Sequence, residues 1–124
     1  MKYVVLIHSS PQPWGHPTGD TVAEHQALPK AERDRLNSDF EKLLSELQAN
    51  GELLGGEALG DPATSRLYRY SGRPVVTDGP YSESKEHLAG FFLIDVDTPE
   101  RADAVAQTFA GPGETIELRP IHVF

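Results

Sequence analysis

Three features of the sequence predict an α+β fold with an antiparallel sheet. Segments with strand character and segments with helical periodicity alternate along the 124 residues. Two of the strand segments are apolar on both faces, and a hairpin signal lies between two others. Because a single core typically holds roughly 100–200 residues, we expect residues 1–124 to form one domain.

The first strand and the loop after it have contrasting compositions. Residues 3–7 (YVVLI) are apolar throughout and largely β-branched, which is typical of a central strand. Residues 9–20 (SSPQPWGHPTGD) are too rich in Pro and Gly for regular structure, and loops of this length are often functional. Thr21 and Glu24 have the spacing of a capping box, which predicts a short helical turn ending before Pro29.

A longer helix is predicted over residues 30–50. The Asn50-Gly51 pair at its end supplies a left-handed stop. Its apolar residues recur at helical spacing and form one stripe: Leu36, Phe40, Leu43, Leu44 and Leu47.

The middle of the chain is predicted to hold a second strand and a β-hairpin. Residues 52–59 form the strand. Residues 65–70 and 73–77 form the hairpin, with residues 71–72 (SG) as a two-residue turn. Residues 78–80 (DGP) then reverse the chain.

The last third is predicted to contain a core strand, a helix and a closing strand. Residues 88–96, which include FFLI, form the core strand. Thr98 is suited to cap the helix and Pro99 to occupy its first position. The helix ends before residues 111–113 (GPG), and residues 115–121 form the closing strand.

The order of these elements is that of a ferredoxin-like plan with an inserted β-hairpin. Two helices can cover only one face of such a sheet. Residues 3–7 and 91–94 nevertheless present apolar side chains to both faces. Because a bare apolar face in water usually marks an interface, we expect a second copy to pack there as a homodimer.

Composition excludes several function classes. The chain has 11 Lys and Arg against 19 Asp and Glu, a net charge of −8, which argues against nucleic acid and anionic membrane partners. Cysteine is absent, so disulfides, thiolate catalysis and thiolate metal sites are excluded. No apolar run approaches the roughly 20 residues that cross a bilayer, and the first apolar run is too short for a signal peptide, so we expect a cytoplasmic location.

The most specific pattern in the chain is residues 75–95 (VVTDGPYSESKEHLAGFFLID). Its core is TDGPY at 77–81, and it ends in the apolar run GFFLID at 90–95. The GGE at 55–57 and the ELRPI at 117–121 also contribute. Together with the opening strand, these segments resemble the signature of the YCII-related proteins of the DGPF type, in which the position of Tyr81 usually holds Phe.

The resemblance implies a dimeric α/β-barrel of ferredoxin-like units. Such proteins are often encoded near, or fused to, extracytoplasmic-function sigma factors, which implies a link to sigma-factor signalling. Relatives in the broader group carry a His on the first helix paired with an Asp, and one similar protein eliminates chloride from a muconate-type substrate. In this chain Phe40, flanked by Asp39, faces the core at the helix position that corresponds to that His, and residues 30–50 contain no His. This difference argues against acid–base chemistry of that kind.

The DGP turn carries the first candidate site residues. Asp78 either accepts N–H bonds within its turn or acts as a general base or substrate anchor. Lys85 and His87 either belong to a solvated charged run with Glu83 or hold an anionic ligand beside Asp78. Tyr81 is a ligand-binding candidate with them.

Two further candidates lie near the first strand. His8 ends that strand, on the face of Val4 and Leu6. Trp14, the single tryptophan, either anchors the long loop to the sheet or caps a pocket as a lid. The spacing of the histidines matches no metal motif, so we expect neither a metal nor a cofactor.

Two hypotheses therefore stand, with a purely structural dimer as a third reading that leaves the charged DGP segment unexplained. The first is a small-molecule-binding or accessory module linked to sigma-factor signalling. The second is a cofactor-free enzyme, of lyase or isomerase type, that uses Asp78 with His87 or Lys85. The missing helix His favours the module.

Overall fold

A computed structural model describes residues 1–81 and 85–124 of the chain. Its helices and strands alternate as an α+β protein, which confirms the predicted class. Two single-turn 3₁₀ helices, Thr18–Asp20 and Pro62–Thr64, lie in the connections. The other elements are β1 (Lys2–Ser9), α1 (Ala23–Gln26), α2 (Lys30–Ala49), β2 (Leu53–Ala58), β3 (Arg66–Tyr70), β4 (Pro74–Asp78), β5 (His87–Asp95), α3 (Pro99–Phe109) and β6 (Thr115–Pro120).

The strands form one antiparallel sheet and one separate hairpin. The sheet has the order β2-β5-β1-β6, so β1 and β5, the most apolar strands, occupy its centre. Strands β3 and β4 pair with each other between β2 and β5 in the sequence. The sheet is open, and the described residues form no closed barrel.

The core lies between one sheet face and the two long helices. Val5 and Ile94 from the central strands are fully buried. They pack against Leu43 and Leu47 of α2 and against Val105 of α3. Both helices therefore cover the same face, which we call the inner face.

The opposite face of the sheet, the outer face, is also apolar. Val4 lies opposite Leu93, and Leu6 lies opposite Phe91, so these four side chains share the face that α2 and α3 do not cover. All four are half-buried. Leu54 of the edge strand β2 is 51% exposed.

The helix cap and the helix stop predicted from the sequence are present in the structure, whereas the predicted capping box is not. Thr98 caps α3 by accepting a hydrogen bond from the Arg101 N–H at 3.1 Å, and Gly51 ends α2 at φ 70°, as predicted. The predicted capping box at Thr21 is wrong. Val22 is the N-cap of α1, and the Thr21 hydroxyl instead donates to the Pro13 carbonyl at 2.8 Å, because the loop folds back on itself there.

The hairpin loop is longer than predicted. Tyr70 pairs with Pro74, so three residues rather than two connect β3 and β4. Gly72 supplies the positive φ of 76° that this loop needs. The hairpin exposes large apolar side chains, with Tyr68 at 66% and Val76 at 53% exposure.

An ion-pair cluster ties α3 to the end of α2 and the start of β2. The Arg101 guanidinium donates to Glu52 at 3.0 and 3.1 Å and to Glu46 at 2.8 Å. These hydrogen bonds lower the pKa of Glu52 and raise that of Arg101. Arg101 of α3 therefore makes a two-bond contact with Glu52, just before β2, and a single hydrogen bond with Glu46 of α2.

Among the described residues, no helix has the length and apolar character needed to cross a membrane.

Candidate ligand-binding site

A cavity of about 480 Å³ opens where the inner sheet face meets the two long helices and the Pro-rich loop. Strands β1, β2 and β5 form its floor, and α2 and the end of α3 form its walls. The loop around residues 16–20 and the turn at 111–114 close its rim. A volume of this size accommodates a small organic ligand.

Three phenylalanine rings form the apolar wall of the cavity. Phe92 of β5 stacks on Phe109 of α3 with ring centroids 5.0 Å apart and an interplanar angle of 15°. Phe40 of α2 leans against Phe109 at 5.2 Å and meets Phe92 edge-on at 6.5 Å. Contacts between such pairs contribute about 0.5–1.5 kcal/mol each beyond burial, so the rings hold a fixed surface.

Two glycines in the floor allow close approach between β2 and β5. A Cβ at Gly90 would lie 2.8 Å from the Glu57 carbonyl oxygen. A Cβ at Gly56 would lie 2.7 Å from a ring carbon of Phe92. Both glycines line the cavity, and because they have no side chains the phenylalanine rings supply the apolar surface beside them.

The Pro-rich loop is fastened to the end of β2 by two side chains. The Trp14 Nε1–H donates to the Leu59 carbonyl at 3.0 Å. The His16 ring contacts the same carbonyl through Nε2 at 2.7 Å and meets the Trp14 ring edge-on at 6.2 Å. Because a carbonyl oxygen only accepts, His16 carries a proton on Nε2, which leaves Nδ1 as its basic nitrogen when the ring is neutral.

Glu114 brings a carboxyl group into the cavity wall. It is half-buried and accepts a hydrogen bond from the Thr18 hydroxyl at 3.0 Å. Burial raises the pKa of Glu114 and the negative charge of Glu86 adds to the rise, while the Thr18 bond and His16 oppose it. The site therefore favours a proton or another positive charge at this carboxyl.

His25 of α1 is a buried polar side chain in the same cavity. It is 7% exposed, and its ring lies against Gly19 of the loop. Within the part of the chain that the structure describes, neither ring nitrogen has a hydrogen-bond partner. Its nitrogens are not among the described side-chain atoms that are shut off from water without a partner, which are Ser9 Oγ and Arg33 Nε, so they are open to the cavity and available to a ligand.

The charged residues that line the cavity are acidic. Asp20, Asp39 and Glu57 are exposed at its rim, and Asp39 contacts Arg35 of its own helix at 3.4 Å. No Lys or Arg lies among the described lining residues. Over the described ranges, His, Asp and Glu side chains form no group of three or more that could hold a metal ion.

The sequence of this chain matches one protein family along almost its whole length. A model described as the YCII-related domain matches residues 1–123. The chain belongs to the YCII-related family. This confirms the predicted family, while the narrower DGPF type stays a prediction.

A curated relative of this YCII-related chain is an uncharacterized protein of Rhizobium meliloti (strain 1021). The two are 28% identical over 102 residues, which cover 79% of this chain and 82% of the relative. The name of this relative states no activity.

The structure places the DGP residues of this YCII-related chain away from the large cavity. Asp78 ends β4 with its side chain exposed, and no described N–H group donates to its carboxylate. Lys85 is also exposed, and neither residue lines the cavity. Glu83 lies outside the described residues.

Two predicted residues share a second, separate cavity. His87 is half-buried and lines a cavity of about 410 Å³ together with Tyr81 and Pro80. Tyr81 is 76% exposed, and the Arg69 guanidinium lies 5.7 Å from its ring centroid. Asp78 is not among the lining residues of this cavity either.

His8 and Trp14 do not line either cavity. His8 lies on the outer face, where its Nε2 is 3.3 Å from Glu117 Oε1. Trp14 makes the anchoring contact that was one of its two predicted roles.

Sequence patterns do not predict the lining of the large cavity as a set. They mark neither His16, His25 nor Glu114, and they predict Phe40 only as part of the apolar stripe of α2. No local pattern marks Glu114, because it follows an ordinary Gly-Pro-Gly turn and enters the cavity only through folding.

Proposed function

We propose that this protein is a small-molecule-binding module of the YCII-related family whose ligand occupies the large cavity. The observation that supports this most directly is a half-buried carboxyl and an unpartnered buried imidazole in one phenylalanine-walled space. A few convergent polar groups in an apolar cavity are typical of ligand sites.

We also propose that the protein acts as a homodimer of ferredoxin-like units that together form an α/β-barrel. The strand order β2-β5-β1-β6 with both helices on one face fits such a unit. The apolar outer face supports a second copy as its cover, since a twofold axis would pair this face with itself. The accessory role in sigma-factor signalling and the cytoplasmic location stay predictions.

A cofactor-free enzyme is the second candidate. It is favoured by Glu114, because burial raises its pKa in the way a general acid requires. The catalytic roles predicted for Asp78 with His87 or Lys85 stay predictions, and this candidate would place the chemistry in the large cavity instead.

A metabolite library screened by thermal shift tests the proposed binding site. Any ligand that binds only the folded state raises stability, by about 2.7 kcal/mol at a concentration of 100 times its dissociation constant. Ala58→Phe would fill the cavity from an exposed lining position. Ala104→Phe is the matched control, because Ala104 is exposed on α3 and does not line the cavity.

We expect hits to stabilise the wild type and Ala104→Phe but not Ala58→Phe. Equal stabilisation of all three would contradict the large cavity as the site. Hits that are lost in Asp78→Asn instead would move the site to the DGP turn, and turnover of a hit would favour the enzyme.

A further inference from the structure

We propose that the large cavity selects organic cations, namely compounds with an apolar, ring-sized body that carries a primary or secondary ammonium group. Glu114 would be the counter-ion and His25 a hydrogen-bond acceptor. This inference rests on the proposed function, because it names the ligand class of the same cavity.

The charge of the lining favours a cation over an anion. Glu114 and the carboxylates at the rim line the cavity. No Lys or Arg is present among the described lining residues. An anionic ligand would therefore meet like charges with no permanent positive partner. The net charge of −8 additionally attracts cations toward the protein.

His25 is the observation that points to a hydrogen-bonding ligand. The ring is more than nine-tenths buried, it lines the cavity, and no described residue bonds to its nitrogens. A neutral imidazole offers one acceptor nitrogen. An ammonium or hydroxyl group could donate to that nitrogen, and the N–H of the same ring could donate to an acceptor, so His25 indicates a polar ligand while Glu114 and the acidic lining favour a cationic one.

Glu114 has the property expected of a carboxyl group that binds a cationic ligand. Its surroundings remove water without supplying a permanent positive charge, and burial raises its pKa as a result. An ammonium group within reach would reverse this effect by stabilising the ionised carboxylate.

The aromatic wall suits the rest of such a ligand. Phe40, Phe92 and Phe109 present ring surface beside the carboxyl. Ring faces attract cations as well as apolar groups. The combination of aromatic surface with an acidic group is the usual chemistry of amine recognition.

Three compounds of matched size and different charge test this proposal. They are 2-phenylethylamine, which is cationic at neutral pH, 2-phenylethanol, which is neutral, and 3-phenylpropanoate, which is anionic. NMR titration of the whole protein would give each dissociation constant and show whether the His25 and Phe92 signals move. We expect the dissociation constant of the amine to be at least about tenfold lower than those of the alcohol and the carboxylate.

Variants separate Glu114 from general surface charge. Glu114→Gln keeps the shape and removes the charge, and we expect it to reduce the preference for the amine to less than about threefold. Glu41→Gln is the control, because Glu41 is exposed on α2 outside the cavity lining and loses the same charge. We expect it to leave the preference unchanged.

The pH dependence gives a second readout. The titratable groups near Glu114 are His16, Glu86 and Glu24, whose carboxylate lies beside Gly113, and His25 faces the same cavity. Amine affinity should rise with pH as Glu114 ionises. The part due to Glu114 is the part that disappears in Glu114→Gln.

The outcomes distinguish this inference from the proposed function. Tighter binding of the alcohol or the carboxylate, with shifts at His25, would refute the cation preference and leave the cavity as a ligand site. An amine preference that survives in Glu114→Gln would also refute it. If none of the three compounds moves the cavity signals at millimolar concentration, the inference fails, whereas the proposed site is still judged by the metabolite screen with Ala58→Phe and Ala104→Phe.

Discussion

Leu93→Glu places a carboxylate in the middle of the outer sheet face, and we expect it to dissociate the proposed homodimer. Leu93 lies opposite Val4 and beside Gly55, on strands at the centre and edge of the sheet. The side chain is half-buried in the single protomer. A second copy packed on this face would remove the remaining exposed part from water.

The size of the effect follows from burial and charge. Full burial of a leucine contributes about 1.5–3 kcal/mol, and at most about a third of Leu93 is left exposed, so covering it is worth no more than about 0.5–1 kcal/mol per copy. Moving an unpaired carboxylate into an apolar interface costs several kcal/mol more. A twofold axis doubles both contributions, giving at least about 5 kcal/mol, which is more than three powers of ten in the dissociation constant.

Sedimentation velocity over a wide range of protein concentrations would measure the change, with circular dichroism to verify folding. Ser45→Glu, on the exposed side of α2, adds the same charge away from the sheet and should stay dimeric. Leu54→Glu is a second test at a position already 51% exposed, where the protomer tolerates a charge. A folded Leu93→Glu dimer of wild-type affinity, or a wild type that is monomeric throughout, would refute the proposed interface.

The remaining predictions concern stability. Arg101→Met should lower the free energy of unfolding by about 1–3 kcal/mol in urea, because it removes the cationic partner of the largely buried Glu52 and leaves only the Asn50 amide as a donor to it. Arg101 lowers the pKa of Glu52, so the stability due to this ion pair is fully present above the ordinary carboxyl pKa of about 4.3 and is lost as pH falls through the lowered pKa of Glu52. A difference in stability between wild type and Arg101→Met that stays constant down to pH 2 would contradict this prediction. Gly56→Ala should lower the free energy of unfolding by about 1–3 kcal/mol, because the added Cβ would clash with β5. Gly60→Ala should lower it less, because nothing lies within 4 Å of a Cβ at that position. Equal losses of stability in the two variants would contradict the close approach of β2 and β5 at Gly56. Because burial raises the pKa of Glu114, wild-type stability should fall as pH rises through that pKa, and Glu114→Gln should lack this fall in melting temperature; parallel pH profiles would show that the carboxyl is solvated.

The sequence by itself determined the elements and their order. Helix α2 was predicted over residues 30–50 and runs from Lys30 to Ala49, because its leucine stripe and the Asn50-Gly51 stop are local signals. The cap at Thr98 is equally local. The apolar character of both faces of β1 and β5 also follows from their residues alone, since side chains alternate along a strand.

Only the tertiary structure decided which residues line the large cavity. The roles predicted for Asp78 and Lys85 from the distinctive DGP segment stay predictions, and both side chains are exposed and do not line this cavity. Glu114, His25 and Phe92 come from distant parts of the chain and meet only when the loop, α1 and the turn after α3 close over the sheet. Local patterns report backbone preferences and burial along one element, whereas a cavity depends on long-range packing among several, so its lining could not be read from the chain.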